Sequence, residues 1–412
     1  MALITFIKRI LLFFVFVTSI NCQNADDYRL ISDSLDRFSL NFLAETCKGI
    51  GESRNLALSP QTIWSLMAIV TEGARNNTAK ELEYALGIPA SEFEKDRFRK
   101  LYRRMSDYFK RMGSSGVTLE YTNSIFVTDQ QNLLKDFSDI ARNYYDVDIT
   151  PVDFRNVRNA VSIVNKKIEQ ATRGKINNLA NEGDLMDAQL FITSVLFFKG
   201  LWKNKFNVTD TRRESFYDER GNAIGEVNMM FQVEYLPFSL ILDNTATAVE
   251  LPYQGDRVSM IVILPKKNIM LQSVLQDLAA KPFQNIIATL KKAAQSYMGD
   301  PVMVSLPRFK VDSDLTLNSV LNTMGIRDVF NEDTANLLGI FPHYVHLSRV
   351  IQKAHIEVDE EGTVATAASG AGFQYKTPPP KFIANKPFAY IIYDKLTEGI
   401  IFAGKISNPD GI

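Results

Sequence analysis

The chain has 412 residues, 46% of them hydrophobic and 23% charged, with a formal net charge of −1. That size suits one large domain or two to three average ones, and the apolar content supports a packed core and excludes wholesale disorder. The near-neutral balance excludes a generic nucleic-acid binder, which needs a basic surface.

Lys8 and Arg9 precede the apolar run Ile10–Val17, which is too short to span a bilayer, and small residues follow from Ser19 to Cys22. The pattern predicts a secretory signal peptide over 1–22, cut after Ser19 or Cys22, and an extracellular mature chain. An N-terminal membrane anchor is the alternative, disfavoured by the short run. Without Lys8 and Arg9, 44 basic side chains face 47 acidic ones, a balance of −3. Cys22 and Cys47 are the only cysteines. If Cys22 leaves with the leader, no internal disulfide remains and stability must come from the core. Cys47 lies in FSLNFLAETCKG, an amphipathic helical pattern, and reads as a packing thiol, because a catalytic one needs a histidine partner.

Helical periodicity dominates the first third, over 28–50, 60–72, 78–87 and 92–112, and returns at 158–171. Strand-like runs then take over at 188–200, 246–253, 258–265 and 302–311. Two more helices are expected around 271–295 and 314–324, before strands at 349–360, 382–394 and 399–407. Helices early and strands late, without βαβ alternation, predict an α+β fold with largely antiparallel sheets. Two N-glycosylation acceptors occur, at Asn76 and Asn207, although Thr78 also suits a cap for the helix that follows it.

Signs of catalysis are missing. The sequence contains no G-x-S-x-G, H-E-x-x-H, G-x-x-x-x-G-K-[ST] or G-x-G-x-x-G. Of its three histidines, His343 and His346 stand three apart, but no Cys or carboxylate lies close enough in sequence to suggest a metal site; His355 sits in a strand pattern. The chain is therefore not expected to be an enzyme or to hold a metal.

One tract stands out. DEEGTVATAASGAGFQYKTPPP, from Asp359 to Pro380, carries no charge or proline from Gly362 through Tyr375. Its alternate residues Thr363, Ala365, Ala367, Ser369, Ala371 and Phe373 are uncharged, and Gly362 supplies free backbone torsions at its start. Such a tract can become an interior strand, since every N–H is available and one face carries nothing costly to bury. A flexible linker is the plainer alternative.

EEGTVATAAS after KAHIEV, followed by NKPFAYIIYDKLTEGIIFAGKISNP, resembles the reactive loop and C-terminal strands of a serpin. NLALSPQTIWSLMAIVTEGARNNTAKEL, FFKGLWKNKF, VNMMFQ, ELPYQGDRVSMIVILP and VSLPRFKVD…LTLNSVLNTMGIRDVF match the family in order and spacing, over nearly the whole mature chain. The general style is similar to secreted arthropod inhibitory members. The resemblance implies a single serpin domain over 23–412, with three β-sheets and eight or nine helices. It also implies an exposed reactive loop at about 360–382, cut as bait by a serine protease and then inserted into the central sheet.

Counting fourteen residues on from Gly362, or twelve back from Phe388, reaches Lys376. The implied reactive bond is Lys376–Thr377, which suits a trypsin-like protease. Cleavage after Tyr375 or Phe373 is the alternative, since Pro378 stiffens the departing side. The hinge comprises Glu360, Glu361, Gly362, Thr363, Ala365 and Ala367, with Arg308 expected to pair with Glu360. Sheet opening falls to Ser59, Ser194, Gln352 and Trp202; Ser194 and Gln352 stand where the family commonly has Asn and His. In some serpins the helix at 92–112 binds glycosaminoglycans. Here it carries Arg97, Arg99, Lys100, Arg103, Arg104, Lys110 and Arg111, diluted by Glu92, Glu94, Asp96 and Asp107, so a merely solvated face is the alternative. The expected partner is a serine protease held as a covalent acyl-enzyme by a monomeric inhibitor, with no nucleic acid, no membrane and no cofactor beyond such a polyanion. A noninhibitory serpin acting as carrier, chaperone or storage protein is the runner-up.

Overall fold

The structure, a computed structural model, describes residues 31–110, 116–130, 132–145, 147–174, 176–296, 301–361 and 379–409. The leader at 1–22, Arg111, Gly362, Thr363, Ala365, Ala367 and the Lys376–Thr377 bond lie outside the described residues, as does the side chain of Lys110.

The chain begins with α1 over 31–50, a short β1 at Leu56–Leu58 and α2 at Pro60–Gly73, where proline opens the first turn at no cost in hydrogen bonds. Helix α3, Asn76–Leu86, ends at Gly87 with φ of +66°; the N–H groups of Gly87 and Ile88 return to Tyr84 and Glu83 in a Schellman closure. Then come α4 (Glu92–Lys110), β2 (Val117–Thr128), α5 (Lys135–Ile140), β3 (Asp148–Val152), α6 (Val157–Ala171), α7 (Glu182–Leu185) and β4 (Leu190–Gly200). The middle of the chain supplies β5 (Arg212–Tyr217), β6 (Ala223–Glu234), β7 (Phe238–Ile241), β8 (Ala246–Pro252), β9 (Val258–Pro265), α8 (Leu271–Ala279) and α9 (Phe283–Ser296). The last part contains β10 (Val302–Pro307), β11 (Phe309–Thr316), α10 (Asn318–Thr323), β12 (Leu347–Val358), β13 (Lys381–Ile383), β14 (Phe388–Asp394) and β15 (Ile400–Ile406).

Three sheets result: a six-stranded one ordered β1-β15-β14-β9-β8-β7, a four-stranded one ordered β13-β10-β6-β5, and a five-stranded one ordered β11-β12-β4-β2-β3. The α+β expectation and the three sheets are observed, with ten α-helical segments among the described residues. The first sheet is antiparallel throughout, whereas the five-stranded sheet holds a long parallel contact at its centre, between β4 and β12. The main core lies between these two sheets and includes Trp64, Phe198, Tyr390 and Phe402. A second, smaller core, with Phe126, Phe191, Val195 and Ile351 from the five-stranded sheet, packs beneath Ala160, Val164 and Ile168 of α6. The five-stranded sheet is therefore covered on both faces over part of its length.

Several expected elements are divided. The helix expected around 271–295 is two, because Pro282 can neither donate into a helix nor leave Lys281 in helical geometry. The run 302–311 is also two strands: Pro307 and Arg308 carry the chain from the four-stranded to the five-stranded sheet, with Arg308 N–H donating to Asn228 O at 2.8 Å. The helix expected at 314–324 shrinks to α10, since Asp314 to Thr316 pair with β12.

Candidate functional site

The end of β12 is tied down by an ordered set of contacts. Glu360, only 3% exposed, accepts two bonds from Arg308, at 2.9 and 2.6 Å, and a third from the Thr211 hydroxyl at 2.6 Å. Burial pushes the Glu360 carboxyl up, but the Arg308 and Thr211 bonds outweigh it and hold the group below its ordinary value. The Trp202 indole donates to Asp359 O at 2.8 Å, while Asp359 receives Lys199 at 3.1 Å and the Glu361 N–H at 2.8 Å. Trp202 is itself fixed by stacking on Tyr253, ring centroids 4.5 Å apart and nearly parallel. Gly200 leaves room for that tyrosine: a Cβ there would lie 2.4 Å from the Tyr253 ring. The Arg308–Glu360 pair expected from the sequence is present, and it exists because the chain changes sheets at Arg308.

Below these contacts runs the β4–β12 seam, where Gln352 stands opposite Ser194. Both are fully buried, but a third residue joins them. The Ser194 hydroxyl lies 2.7 Å from the Thr62 hydroxyl, and Gln352 Nε2 donates to the same Thr62 oxygen at 3.0 Å. The Gln352 amide also clamps the start of α2, accepting from Ser59 N at 3.0 Å and donating to Ser59 O at 2.9 Å, while the Ser59 hydroxyl donates to Ile401 O. Ser59, Ser194 and Gln352 therefore converge, and Thr62 bridges them. Sequence reasoning missed Thr62; its only signal was its place three residues after Ser59, one turn into α2. Trp202 stands apart from this cluster, among the contacts at the end of β12. On the opposite face, Lys199 crosses the seam to Glu357 at 3.3 Å.

In α4, Phe98, Leu101 and Met105 form a buried stripe, as their spacing predicts. Arg99, read from the sequence as one of the solvent-facing bases, is instead 8% exposed. It pairs with Glu72 of α2 at 2.6 Å and with Glu92 at 2.7 Å, and the Tyr145 hydroxyl donates to Glu72 at 2.6 Å. Lys100 and Arg103 are engaged along the helix with Asp96 at 2.6 Å and Asp107 at 3.2 Å, and Arg97 and Arg104 line a shallow groove beside exposed Phe93.

The two glycosylation motifs sit in different settings. Asn207 and Thr209 are both exposed, and Asn207 Oδ1 caps Thr209 N at 3.1 Å in a tight turn. At the other, Asn76 is exposed, but the Thr78 hydroxyl is buried and accepts from Asn336 N at 3.0 Å. Cys47 is buried among the apolar side chains of the main core, and desolvation pushes its thiol up to about 12, so it packs rather than reacts.

A family model described as Serpin (serine protease inhibitor) matches residues 33–409. A serpin-like protein of Methanosarcina acetivorans is 32% identical over 87% of this chain and 82% of its own. Leukocyte elastase inhibitor A of Mus musculus is 30% identical over 89% of this chain and 96% of its own. Among solved structures, serpin-12 of Manduca sexta superposes with a TM-score of 0.78 at 26% identity, covering 91% of this chain and 98% of its own.

Proposed function

The chain belongs to the serpin family, most of whose members inhibit proteases, and from that premise we propose that it traps a trypsin-like serine protease as a suicide substrate. In this reading the protein is secreted and monomeric. The protease serine attacks the Lys376 carbonyl carbon, the Lys376–Thr377 bond breaks, and Thr377 leaves with a new amino terminus. Lys376 stays esterified to the enzyme. The freed segment then enters the five-stranded sheet between β4 and β12 before water hydrolyses the ester.

The parallel β4–β12 pair, continuous with the hinge, carries this reading. A chain that leaves the end of β12 and folds back runs antiparallel to both neighbours. Entry thus exchanges one parallel ladder for two antiparallel ones, whose bonds are better aligned. Residues 363–376 as a strand reach ~46 Å at ~3.3 Å per residue. The seam pairs from Leu347–Leu190 to Glu357–Lys199, about 33 Å at the same rise, so the segment is long enough to fill it. The uncharged alternate side chains of the tract suit a covered sheet. Lysine at the bond favours enzymes with an aspartate in the specificity pocket. The exposed turn around Asn207 suits glycosylation of a secreted chain.

Mixing the protein with trypsin tests the reading. The expected product is a band at the summed mass that survives SDS, and a released fragment whose sequence begins at Thr377. A fragment beginning at Lys376 or Gln374 moves the bond to Tyr375 or Phe373. Clean cleavage without a complex overturns inhibition in favour of a carrier or storage role. Thr363→Arg places a charge where the strand first buries and is expected to turn inhibitor into substrate.

A further inference from the structure

The outer face of the β4–β12 seam carries a ring pair. His355 of β12 stands opposite Phe197 of β4, their ring centroids 4.9 Å apart and their planes within 7°. On the other side of β12, His355 is opposite Asp312 of β11, and its Nδ1 lies 2.6 Å from Asp312 Oδ1. The imidazole is thus held flat against the phenyl face by a carboxylate behind it. Its side chain is 14% exposed, whereas Asp312 is 74% exposed, so the proton can exchange with solvent.

We propose that His355 is a pH-sensitive latch on this seam, tightening the β4–β12 contact when protonated and loosening it when neutral. The latch rests on the seam-opening reading above. A cation over an aromatic face is attracted by the ring's negative quadrupole, and the neutral ring loses that attraction. Histidine is the side chain whose ordinary titration falls between pH 5 and 8. A strand entering between β4 and β12 separates His355 from Phe197 but leaves the β11–β12 pair intact, so Asp312 stays with His355 in either state. Protonation therefore favours the closed seam through the stack alone.

Most other charges facing the ring are paired. Beside it on β12, Lys353 is 2.9 Å from Asp314 of β11, and Glu357 meets Lys199 of β4, which also holds Asp359. Across Phe197 on β2, Glu120 lies 3.9 Å from Arg173, just beyond α6. Lys310 of β11 is exposed on the same edge.

The test uses a synthetic peptide with the sequence of residues 363–376, added to the intact protein, with incorporation followed by native gel and tryptophan fluorescence. Wild type is expected to incorporate it about threefold more slowly at pH 5.5 than at pH 8, the scale of an exposed cation–ring contact. His355→Phe keeps a ring pair without a titrating group, and its rate is expected to be flat with pH. Phe197→Leu keeps the histidine and Asp312 but removes the ring face, and is expected to be flat as well. Equal pH slopes in wild type and His355→Phe, or a full slope in Phe197→Leu, overturn the latch while leaving seam opening intact. Failure to incorporate the peptide at every pH overturns seam opening and the latch with it.

Discussion

Glu360 is a carboxylate almost wholly removed from water, and the side chains of Arg308 and Thr211 offset that cost. Arg308→Ala leaves one bond to a buried charge. With Arg308 itself 43% exposed, the expected cost after solvent screening is about 1–2 kcal/mol of stability, read from denaturant midpoints. The pH dependence follows from direction. The folded-state value of Glu360 is depressed, so its contribution is complete above the unfolded value, about 4.3, and is lost as pH falls through the folded one. Arg308→Ala is expected to destabilise at pH 7 and progressively less as the pH falls through the depressed folded-state value of Glu360; a loss that does not shrink in acid would remove the ion pair as its cause. The partners of Glu360 differ in legibility. Arg308 matched a family position, so its pairing was expected. Thr211 had no signal, because a hydroxyl 149 residues away in sequence meets the carboxylate only after both elements dock.

Helix α4 shows why a charge run is hard to read. Its apolar stripe fixed which face turns inward, but Arg99 sits at the margin of that stripe, and only the approach of α2 with Glu72 decides that it is buried. Arg99→Ala strands Glu72, itself 5% exposed, with the Tyr145 hydroxyl as its remaining partner. The expected loss is about 2–4 kcal/mol, with a clear fall in melting temperature. Lys100→Ala, on the solvated face of the same helix, is expected to leave the melting temperature unchanged. If the two variants melt alike, Arg99 does not lock α4 to α2. Strand β2 escaped the sequence reading for a related reason. It lies between β4 and β3 with both faces partly covered, so its Thr, Asn and Ser residues interrupt the clean alternation of a half-buried strand.

At the level of the whole chain, the parallel β4–β12 seam sits inside a mostly antiparallel fold, and side chains cross it on both faces: Ser194, Thr62 and Gln352 inside, Lys199, Glu357, His355 and Phe197 outside. About a dozen new backbone hydrogen bonds at a net ~1 kcal/mol each would follow strand entry, on the order of 10 kcal/mol. That is comparable to the stability of a typical domain, so protein nicked at Lys376 is expected to melt more than about 10 °C above intact protein. A calorimetric scan of nicked and intact samples decides this. Melting of the nicked form at or below the intact value means the intact fold holds no reserve, and the trapping mechanism fails.

Local chemistry was enough to read some features. Periodicity gave most helices and the late strands, the uncharged tract gave a segment fit for burial, and ordered motifs gave the family, because each depends on neighbours along the chain. Contacts between distant segments needed the folded molecule. The single run expected over 302–311 became a sheet change at Arg308, Thr62 became the bridge under the seam, Arg99 turned inward, and His355 came to lie on Phe197, 158 residues earlier in the chain. Strand register and helix docking set those meetings, and both are decided by the burial of whole faces, which no short stretch of residues specifies.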